Sequence, residues 1–335
     1  MSGPSLPRAG FDLLSPDLAA EAIEEAYGLD LDGSVFVYPS YVNRVYGFRD
    51  DEGQGFVAKF YRPGRWSREA ILDECAFVAD CAAAEIPVVP PLPNSEGDVL
   101  SELALEDEGG EEAGFFFSLF PKRGGRNFEP ESETDWLRLG SLAGRLHAVG
   151  RARTAPCRLS LSADLGASYV RELLTAGLVH PDSRGEFEEL AGMGIEIARD
   201  RLAGLAVQRV HGDLHRGNIL DRPGLGLLLV DFDDMLNAPT VQDLWLLLPG
   251  RKSESGRELA LILEGYEEFS TFDPASLRAI EALRLLRMLY FLSWRSRQRG
   301  DYWFRREFPE WGNRAFWLRE VEDLRDQLQC LKDEG

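Results

Sequence analysis

Two neighbouring segments carry oxygen-bearing side chains whose types and spacing could support chemistry. The first is the polar stretch His211–Asn218, with Asp213 five positions before Asn218, and the second is Asp231, which follows the apolar run Leu225–Val230. The Pro and Gly residues between them predict a turn joining two strands, so Asp231 is predicted to lie close to Asn218. An amide oxygen and a carboxylate are hard ligands, which suit magnesium far better than zinc.

Asp213 can take a different role from these two ligands. It precedes Asn218 by enough chain to point elsewhere, so its carboxylate could accept a proton or orient a hydroxyl. One carboxylate at the nucleophile, with an amide and a second carboxylate on magnesium, is the arrangement that phosphoryl transfer from a nucleotide requires. The spacing therefore predicts Asp213 as a catalytic base and Asn218 and Asp231 as magnesium ligands.

Two other interpretations of the stretch His211–Asn218 remain open. It could be a solvated turn, or its histidines could be the ligands of a metallohydrolase. The chain has four histidines, and His147 and His180 do not stand at a ligand-like spacing from His211. The histidine content therefore favours phosphoryl transfer over a metallohydrolase.

A strand-rich first third and a helix-rich remainder would position these segments. Alternating apolar residues predict strands, and apolar residues at helical spacing predict helices. The predicted strands lie at 35–38, 45–48, 56–60, 99–103 and 115–120. The predicted helices lie at 15–27, 67–84, 136–148, 166–178, 185–206, 240–248, 257–269, 275–299 and 314–332. The pattern is typical of an α+β fold, with an antiparallel β-sheet followed by a mostly helical region.

Lysine is scarce in this chain, and one lysine stands inside a predicted strand. Among 37 basic residues, the lysines are Lys59, Lys122, Lys252 and Lys332. Lys59 follows Val-Ala on the strand at 56–60, where a positive charge could neutralise the phosphates of a nucleotide. A solvent-facing lysine at a strand end is the alternative interpretation.

The helix predicted after Ser67 carries a glutamate on its apolar face. A carboxylate on such a face is unfavourable unless it is paired, so Lys59 is the natural partner of Glu74. Glu69 and Asp73 are alternatives that helical periodicity does not exclude.

The turn at 39–44 connects the first two predicted strands and contains no glycine. Its backbone amides are therefore less suited to wrapping phosphates closely than those of a glycine-rich loop. Ser40 could still donate its hydroxyl and its amide to a phosphate, and an ordinary polar hairpin turn is the alternative.

Composition excludes several classes of protein. With 57 acidic and 37 basic residues the net charge is −20, which argues against a general nucleic-acid binder. No apolar run approaches the roughly 20 residues that a membrane span requires, and the N-terminus has no signal-like core. The four cysteines form no C-x-x-C pair and fit a reducing compartment. These features predict a cytoplasmic chain with no nucleic-acid and no membrane partner.

The stretch His211–Asn218 resembles the catalytic loop of the aminoglycoside phosphotransferase-like branch of the kinase superfamily, which reads H-G-D-x-H-x-x-N. The segment Val230–Asp234 is similar to that branch's version of D-F-G. A longer similarity, from about residue 35 to 305, links the chain to the bacterial stress response kinase A family. It is carried by the segments 40–46, 59–63, 120–121, 124–126, 241–245 and 266–270.

The resemblance implies a bilobal protein-kinase-like fold, with an N-terminal nucleotide-binding lobe at 1–120 and a helical C-terminal lobe at 121–335. The N-terminal lobe would have one main helix and would end in a hinge, Phe117–Phe120, whose backbone meets adenine. The implied activity is that of a cytoplasmic, monomeric Ser/Thr protein kinase of the stress response. ATP would be the phosphoryl donor, Mg²⁺ the cofactor, and proteins bearing Ser or Thr the acceptors.

The resemblance also implies a role for each matching residue. Glu74 is selected over its neighbours because this branch places the glutamate thirteen residues before the proline of a V-P or I-P step, here Pro87. Asp243 would brace the catalytic loop. The remaining roles are Asp213 as base, Asn218 and Asp231 on magnesium, Lys59 and Ser40 on the phosphates, with Asp231 also essential for turnover.

Two rival functions share much of this evidence. A small-molecule hydroxyl kinase, similar to an aminoglycoside, choline or homoserine kinase, would use the same catalytic residues. A pseudokinase scaffold is disfavoured because Lys59, Asp213, Asn218 and Asp231 are all present. The arginines of the helix at 275–299 could receive an acidic peptide or nucleic acid, or they could pair with the protein's own acids.

Overall fold

A five-stranded antiparallel sheet forms the N-terminal part of the computed structural model, which describes residues 11, 13–40, 42–106 and 112–333. The strand order is β1-β2-β3-β5-β4. The strands are β1 Leu31–Tyr38, β2 Arg44–Asp50, β3 Gly55–Phe60, β4 Ser101–Glu106 and β5 Glu112–Pro121. β4 begins two residues later than the predicted strand at 99–103 and continues to Glu106.

Strand β3 occupies the centre of this sheet and carries Lys59. Its neighbours in register are Val45 of β2 and Ser118 of β5. Side chains alternate across a strand, so Phe56, Ala58 and Phe60 pack into one buried cluster while Lys59 points to the opposite face.

Two helices flank the sheet, and both begin at a serine cap. The Ser15 hydroxyl accepts from Leu18 N at the start of α1 (Pro16–Tyr27), and α1 packs on the face opposite Lys59. The Ser67 hydroxyl accepts from Ala70 N at the start of α2 (Arg68–Ala83). Glu74 lies on the buried face of α2, which brings its carboxylate to the Lys59 side of the sheet.

The C-terminal part is mainly helical, so the predicted α+β class is confirmed. Its helices are α3 Glu133–Gly150, α4 Ala163–Thr175, α5 Pro181–Leu202, α6 Val241–Leu247, α7 Gly256–Glu267, α8 Ile280–Gln298, α9 Tyr302–Glu307 and α10 Arg314–Asp333. Its short strands are β6 Arg126–Asn127, β7 Gln208–Val210, β8 Ile219–Arg222, β9 Gly226–Leu229 and β10 Leu236–Ala238. None of the helices in the described ranges combines the length and the apolar content needed to cross a membrane.

Capping chemistry explains where the helix boundaries depart from the predicted ones. α4 and α5 start earlier than predicted because Ser162 caps α4 and Pro181 opens α5. The predicted helix at 275–299 is split, since a 3-10 turn at Pro274–Ala279 precedes α8. α9 was not predicted, and Asp301 caps it.

The predicted lobe division at 120/121 remains a prediction. Strand β5, the last of the five-stranded sheet along the chain, ends at Pro121.

Helices α3 and α7 approach each other unusually closely because glycines line their contact. A Cβ atom on Gly140 would lie 2.0 Å from the Ile262 carbonyl oxygen, and one on Gly144 would lie 2.5 Å from the Tyr266 oxygen. This close packing brings His147 of α3 within hydrogen-bond distance of Tyr266 of α7. The glycines therefore position a histidine that contacts the candidate site described below.

We predict that Gly140→Ala destabilises the fold, because the added methyl group overlaps the α7 backbone. Overpacking of this kind lowers the free energy of unfolding by about 1–3 kcal/mol. Replacing glycine by alanine in a helix gains only up to about 1 kcal/mol in helix propensity, so the net effect is destabilising. Gly192→Ala is the matched control, since Gly192 lies exposed in α5 and a Cβ atom there would meet none of the neighbouring described residues within 4 Å. Chemical denaturation should show opposite signs for the two variants, with Gly192→Ala stabilising by up to about 1 kcal/mol. Equal stabilisation by both would contradict the packing described.

Candidate active site

The β8–β9 hairpin brings the two chemistry-bearing segments together. Ile219 pairs with Leu229, and the Val230 amide donates to the Asn218 carbonyl oxygen at 3.1 Å. Asp231 therefore leaves the hairpin directly beside Asn218, as the spacing predicts. The Asn218 side-chain nitrogen donates to the Asp213 carbonyl oxygen at 2.9 Å and lies 3.4 Å from Asp213 Oδ2.

Asp231 adopts a backbone conformation that non-glycine residues rarely use. Its φ is 60°, in the left-handed region, which costs roughly 1–3 kcal/mol. The conformation leaves the carboxylate 59% exposed and places Oδ1 3.5 Å from Lys59 Nζ. Asp231 thus lines the same cavity as Asp213 and Lys59.

Lys59 is the centre of a buried group of charges. Its Nζ lies 3.2 Å from Glu74 Oε1 and 3.2 Å from Asp233 Oδ1. Burial alone would lower the pKa of Lys59, but Asp233 and Glu74 hold that pKa well above its usual range. Lys59 is therefore a fixed positive charge at the wall of the cavity.

Glu74 has a second basic partner that the sequence did not reveal. Arg158 Nη2 lies 2.5 Å from Glu74 Oε2, and Arg158 Nη1 donates to the Asp233 carbonyl oxygen at 2.9 Å. Of the alternatives to Glu74, Glu69 stands in the first turn of α2, and Asp73 accepts from the Cys157 amide instead. The structure therefore pairs Lys59 with Glu74 and not with its neighbours.

Asp213 contacts two basic side chains. Arg287 Nη2 lies 2.5 Å from Oδ1, and His215 Nε2 lies 3.4 Å from Oδ2. Burial raises the pKa of the Asp213 carboxyl, but His215 and Arg287 outweigh it and hold the pKa well below its usual range. The carboxylate is therefore ionised near neutral pH, the state that a proton acceptor needs.

Asp243 holds the start of the segment His211–Asn218 in place through its carboxylate. Its carboxylate accepts from the backbone amides of His211 and Gly212, each at 2.8 Å, and it lies 2.9 Å from His147 Nε2. Gly212 has a φ of 83°, and a Cβ there would lie 2.0 Å from the Asp234 carbonyl oxygen. Fixed amides and a glycine-only conformation together set the path of the loop.

Both loop histidines make contacts within the site, and the His215 side chain is also 44% exposed. His211 Nε2 lies 3.0 Å from the Val230 carbonyl oxygen, which ties the loop to the hairpin. His215 Nδ1 accepts from the Gly217 amide and its Nε2 faces Asp213.

Segment 231–234 is anchored to the N-terminal part by an arginine that the sequence pattern does not reveal. Arg65 contacts Asp233 and lies 2.6 Å from Asp234 Oδ1, and its guanidinium stacks 4.2 Å from the Trp294 ring centroid. Tyr290 donates to the same Asp234 oxygen at 2.7 Å. Because Arg65 lies in a loop without periodic pattern, only the abundance of acids at 231–234 could have suggested a partner.

The turn at 39–44 lines the cavity through Ser40, Val42 and Asn43, and Tyr41 lies outside the described residues. The Ser40 hydroxyl accepts from the amides of Val42 at 3.3 Å and Asn43 at 3.4 Å. These two amides are engaged within the turn. A role of Ser40 toward a phosphate stays a prediction.

The segment predicted as the hinge divides between core and cavity. Phe117 is buried and stacks on Phe60, whereas Phe120 and Pro121 line the cavity. The Leu119 amide donates to the Tyr27 hydroxyl and its carbonyl accepts from Leu92 N. Contact between this segment and adenine therefore remains a prediction, and within the predicted hinge it concerns Phe120 most directly.

One cavity of about 560 Å³ lies between the sheet and the helical part, and Lys59, Asp213 and Asp231 are among the residues that line it. Its lining combines apolar side chains with charged ones. An apolar slot beside a cluster of charges suits a planar base joined to phosphates. The apolar lining comprises Val45, Val57, Val78, Val89, Phe120 and Leu229.

An antiparallel sheet, a cavity lined by a buried Lys–Glu pair and two aspartates, and an asparagine bonded beside them define a kinase-like phosphotransferase. The model of the phosphotransferase enzyme family matches residues 38–280, and the chain belongs to that family. The chain is 35% identical over 329 residues to stress response kinase A of Escherichia coli strain K12, covering 96% of this chain and 95% of that protein. It is 36% identical over 332 residues to serine/threonine protein kinase RdoA of Salmonella typhimurium, with coverages of 96% and 95%.

Solved structures share the fold at low sequence identity. The amicoumacin kinase hAmiN in complex with AMP-PNP, Ca²⁺ and Ami superposes with a TM-score of 0.74 at 18% identity, covering 95% of both chains. A microcompartment-associated aminopropanol kinase gives 0.68 at 15% identity and covers 95% of this chain and 98% of its own. These comparisons confirm the kinase-like fold.

We predict that Asp213→Ala lowers turnover by about 10²-fold or more, because loss of a positioned base typically has that effect. Asp51→Ala, an exposed aspartate in the β2–β3 turn, is the control. Magnesium-dependent ATP consumption measures both variants. Near-normal turnover in folded Asp213→Ala protein would remove Asp213 from the role of base.

Proposed function

We propose that this phosphotransferase is an ATP- and magnesium-dependent protein kinase of the stress response that transfers the γ-phosphate to Ser or Thr hydroxyls. The names of the Escherichia coli and Salmonella relatives support this assignment. We further propose that the sheet and the helical part act as two lobes, and that the protein works as a cytoplasmic monomer.

The pairing of the cavity's carboxylates with internal cations is the observation that favours a protein acceptor over a cationic small molecule. Each of the five acidic residues that line it in the described part of the chain has a Lys or Arg partner of this chain. A cationic acceptor such as an amino sugar needs carboxylates that are open to it. Here four of the five are held by internal cations, and the exposed one, Asp231, is the proposed magnesium ligand. The pairs are Lys59 with Glu74, Asp231 and Asp233, Arg158 with Glu74, Arg65 with Asp233 and Asp234, and Arg287 with Asp213.

Asn218 and Asp231 suit Mg²⁺ that is shared with the phosphates of a nucleotide better than a metal ion held only by protein side chains. No group of three or more His, Cys, Asp or Glu side chains that could hold a metal occurs among the described residues. Mg²⁺ is commonly bound by one or two protein oxygens together with phosphates, and Asn218 and Asp231 would supply these two. Mg²⁺ in that position would neutralise charge on the transferring phosphoryl group.

The remaining residues have roles that their own contacts support. Lys59, held in place by Glu74, would contact the α and β phosphates, and Ser40 would contact a phosphate from the turn above. Asp213 would accept the proton of the acceptor hydroxyl and, with it, orient that oxygen toward the phosphorus. Arg287 would have to share or release Asp213 Oδ1 as the acceptor binds, since it lies 2.5 Å away.

A small-molecule hydroxyl kinase is the second candidate, and the names of two solved structures with the same fold support it. The amicoumacin kinase and the aminopropanol kinase share the fold, and their names specify small acceptors. A binding module without catalysis is disfavoured, because Lys59, Asp213, Asn218 and Asp231 all surround or adjoin one cavity.

Labelled ATP separates these candidates. The protein is incubated with ATP labelled at the γ-phosphate, Mg²⁺, and a panel of purified proteins, aminoglycosides and amino alcohols, with Asp213→Asn as the matched inactive control. We expect label on Ser or Thr of protein acceptors, lost in Asp213→Asn and on chelation of Mg²⁺. Label found only on a small molecule would reject the protein acceptor. Absence of magnesium-dependent ATP consumption with every acceptor would reject the kinase assignment itself.

A further inference from the structure

The turn at 39–44, hereafter the phosphate turn, is held in place by two arginines rather than by glycine-rich backbone. Arg44 Nη1 donates to the Ser40 carbonyl oxygen at 2.9 Å, and Arg62 Nε donates to the Val42 carbonyl oxygen at 3.0 Å. The Arg62 amide also donates to Asn43 Oδ1 at 3.1 Å. The conformation of the phosphate turn therefore depends on where these two guanidinium groups lie.

Both guanidinium groups contact the same carboxylate, that of Asp301, which lies in the helical part of the chain. Asp301 Oδ2 lies 3.1 Å from Arg44 Nη2 and 3.0 Å from Arg62 Nη2. Asp301 is fully buried, and burial raises its pKa, but Arg44 and Arg62 hold the pKa below its usual range. The carboxylate is thus an ionised partner for two cations in a site with little water.

Asp301 is itself fixed by the start of α9. Its Oδ1 accepts from the backbone amides of Trp303 at 2.9 Å and Phe304 at 3.3 Å, so the two oxygens face different elements. Phe11 covers the arrangement, with the Arg44 and Arg62 guanidinium carbons 4.6 and 4.7 Å from its ring centroid. One carboxylate therefore joins helix α9 of the helical part to the phosphate turn.

We propose that Asp301 is a positioning residue for nucleotide binding, which sets the phosphate turn over the active-site cavity through Arg44 and Arg62. It would not touch the nucleotide. The inference rests on the proposed function, because it assumes that the phosphates of ATP bind in the cavity next to Ser40. A glycine-free turn has fewer backbone conformations with which to follow the phosphates, so an external anchor that fixes its position favours binding.

Asp301→Asn tests this role, since asparagine keeps an oxygen for the α9 cap but loses the charge that holds two arginines. Asp273→Asn is the matched control, because exposed Asp273 caps the 3-10 turn at Pro274–Ala279 and has no arginine partner among the described residues. Affinity for the magnesium complex of AMP-PNP is measured by titration, together with KM for ATP, kcat and thermal unfolding. We expect Asp301→Asn to weaken nucleotide affinity and raise KM for ATP by about tenfold or more, with a smaller change in kcat.

A purely structural role would give a different result. If folded Asp301→Asn protein binds the nucleotide within twofold of the unaltered protein and differs only in unfolding temperature, the positioning role is wrong. Arg62→Gln, which keeps Arg44 on Asp301, carries the same expectation and serves if Asp301→Asn does not fold. Failure of the unaltered protein to bind the nucleotide would instead count against the proposed function.

Discussion

The buried charge of Lys59 is the interaction on which the rest of the site depends. An ammonium group in the middle of a sheet is unfavourable unless carboxylates surround it, and Glu74, Asp231 and Asp233 do so. These partners come from α2 and from the segment after β9, so one side chain ties the sheet to both. Removing one partner of such a buried group typically costs roughly 3–5 kcal/mol, which makes each position depend on the others.

Three more arginine contacts apply the same principle around the site. Arg158 joins the helical part to Glu74, Arg65 joins the sheet side to Asp233, and Arg62 joins the phosphate turn to Asp301. In each case an arginine and a carboxylate from different parts of the chain meet away from water. The cavity is therefore organised before a nucleotide arrives, and preorganised charges are the main source of catalysis in phosphoryl transfer.

The sequence predicts a site residue when the residue lies in a periodic element or close in sequence to its partners. Lys59 and Glu74 lie within a strand and a helix, where alternation and helical spacing show which face each side chain takes. Asp213, Asn218 and Asp231 are joined by a single hairpin, so chain spacing alone brings them together. Arg158 and Arg65 lie in loops with no period, and their partners are distant in sequence, so only the folded chain shows them. Asp301 gives no sequence signal for a related reason, because the six-residue helix that it caps is too short to show helical periodicity.

Pairing of arginines with carboxylates also decides between the two interpretations of the arginines of α8, which were binding of an acidic partner or pairing with the protein's own acids. Arg287 contacts Asp213, and Arg284 stacks on Trp245 and lies 3.4 Å from Glu281. For these two the protein's own acids are the partners, as the second interpretation holds. A chain with net charge −20 thus keeps its cavity balanced by placing cations where its carboxylates converge.

The central claim is that Lys59 organises a nucleotide-dependent transfer site, and the kinetics of Lys59→Met test it most directly. Methionine preserves the length and the apolar stem of the side chain but removes the charge, and Lys122→Met, at an exposed lysine just beyond β5, is the matched control. With magnesium and ATP, we expect folded Lys59→Met protein to lose about 10²-fold or more in kcat/KM for ATP while Lys122→Met is unchanged. Turnover of folded Lys59→Met protein close to that of the unaltered chain would contradict this claim.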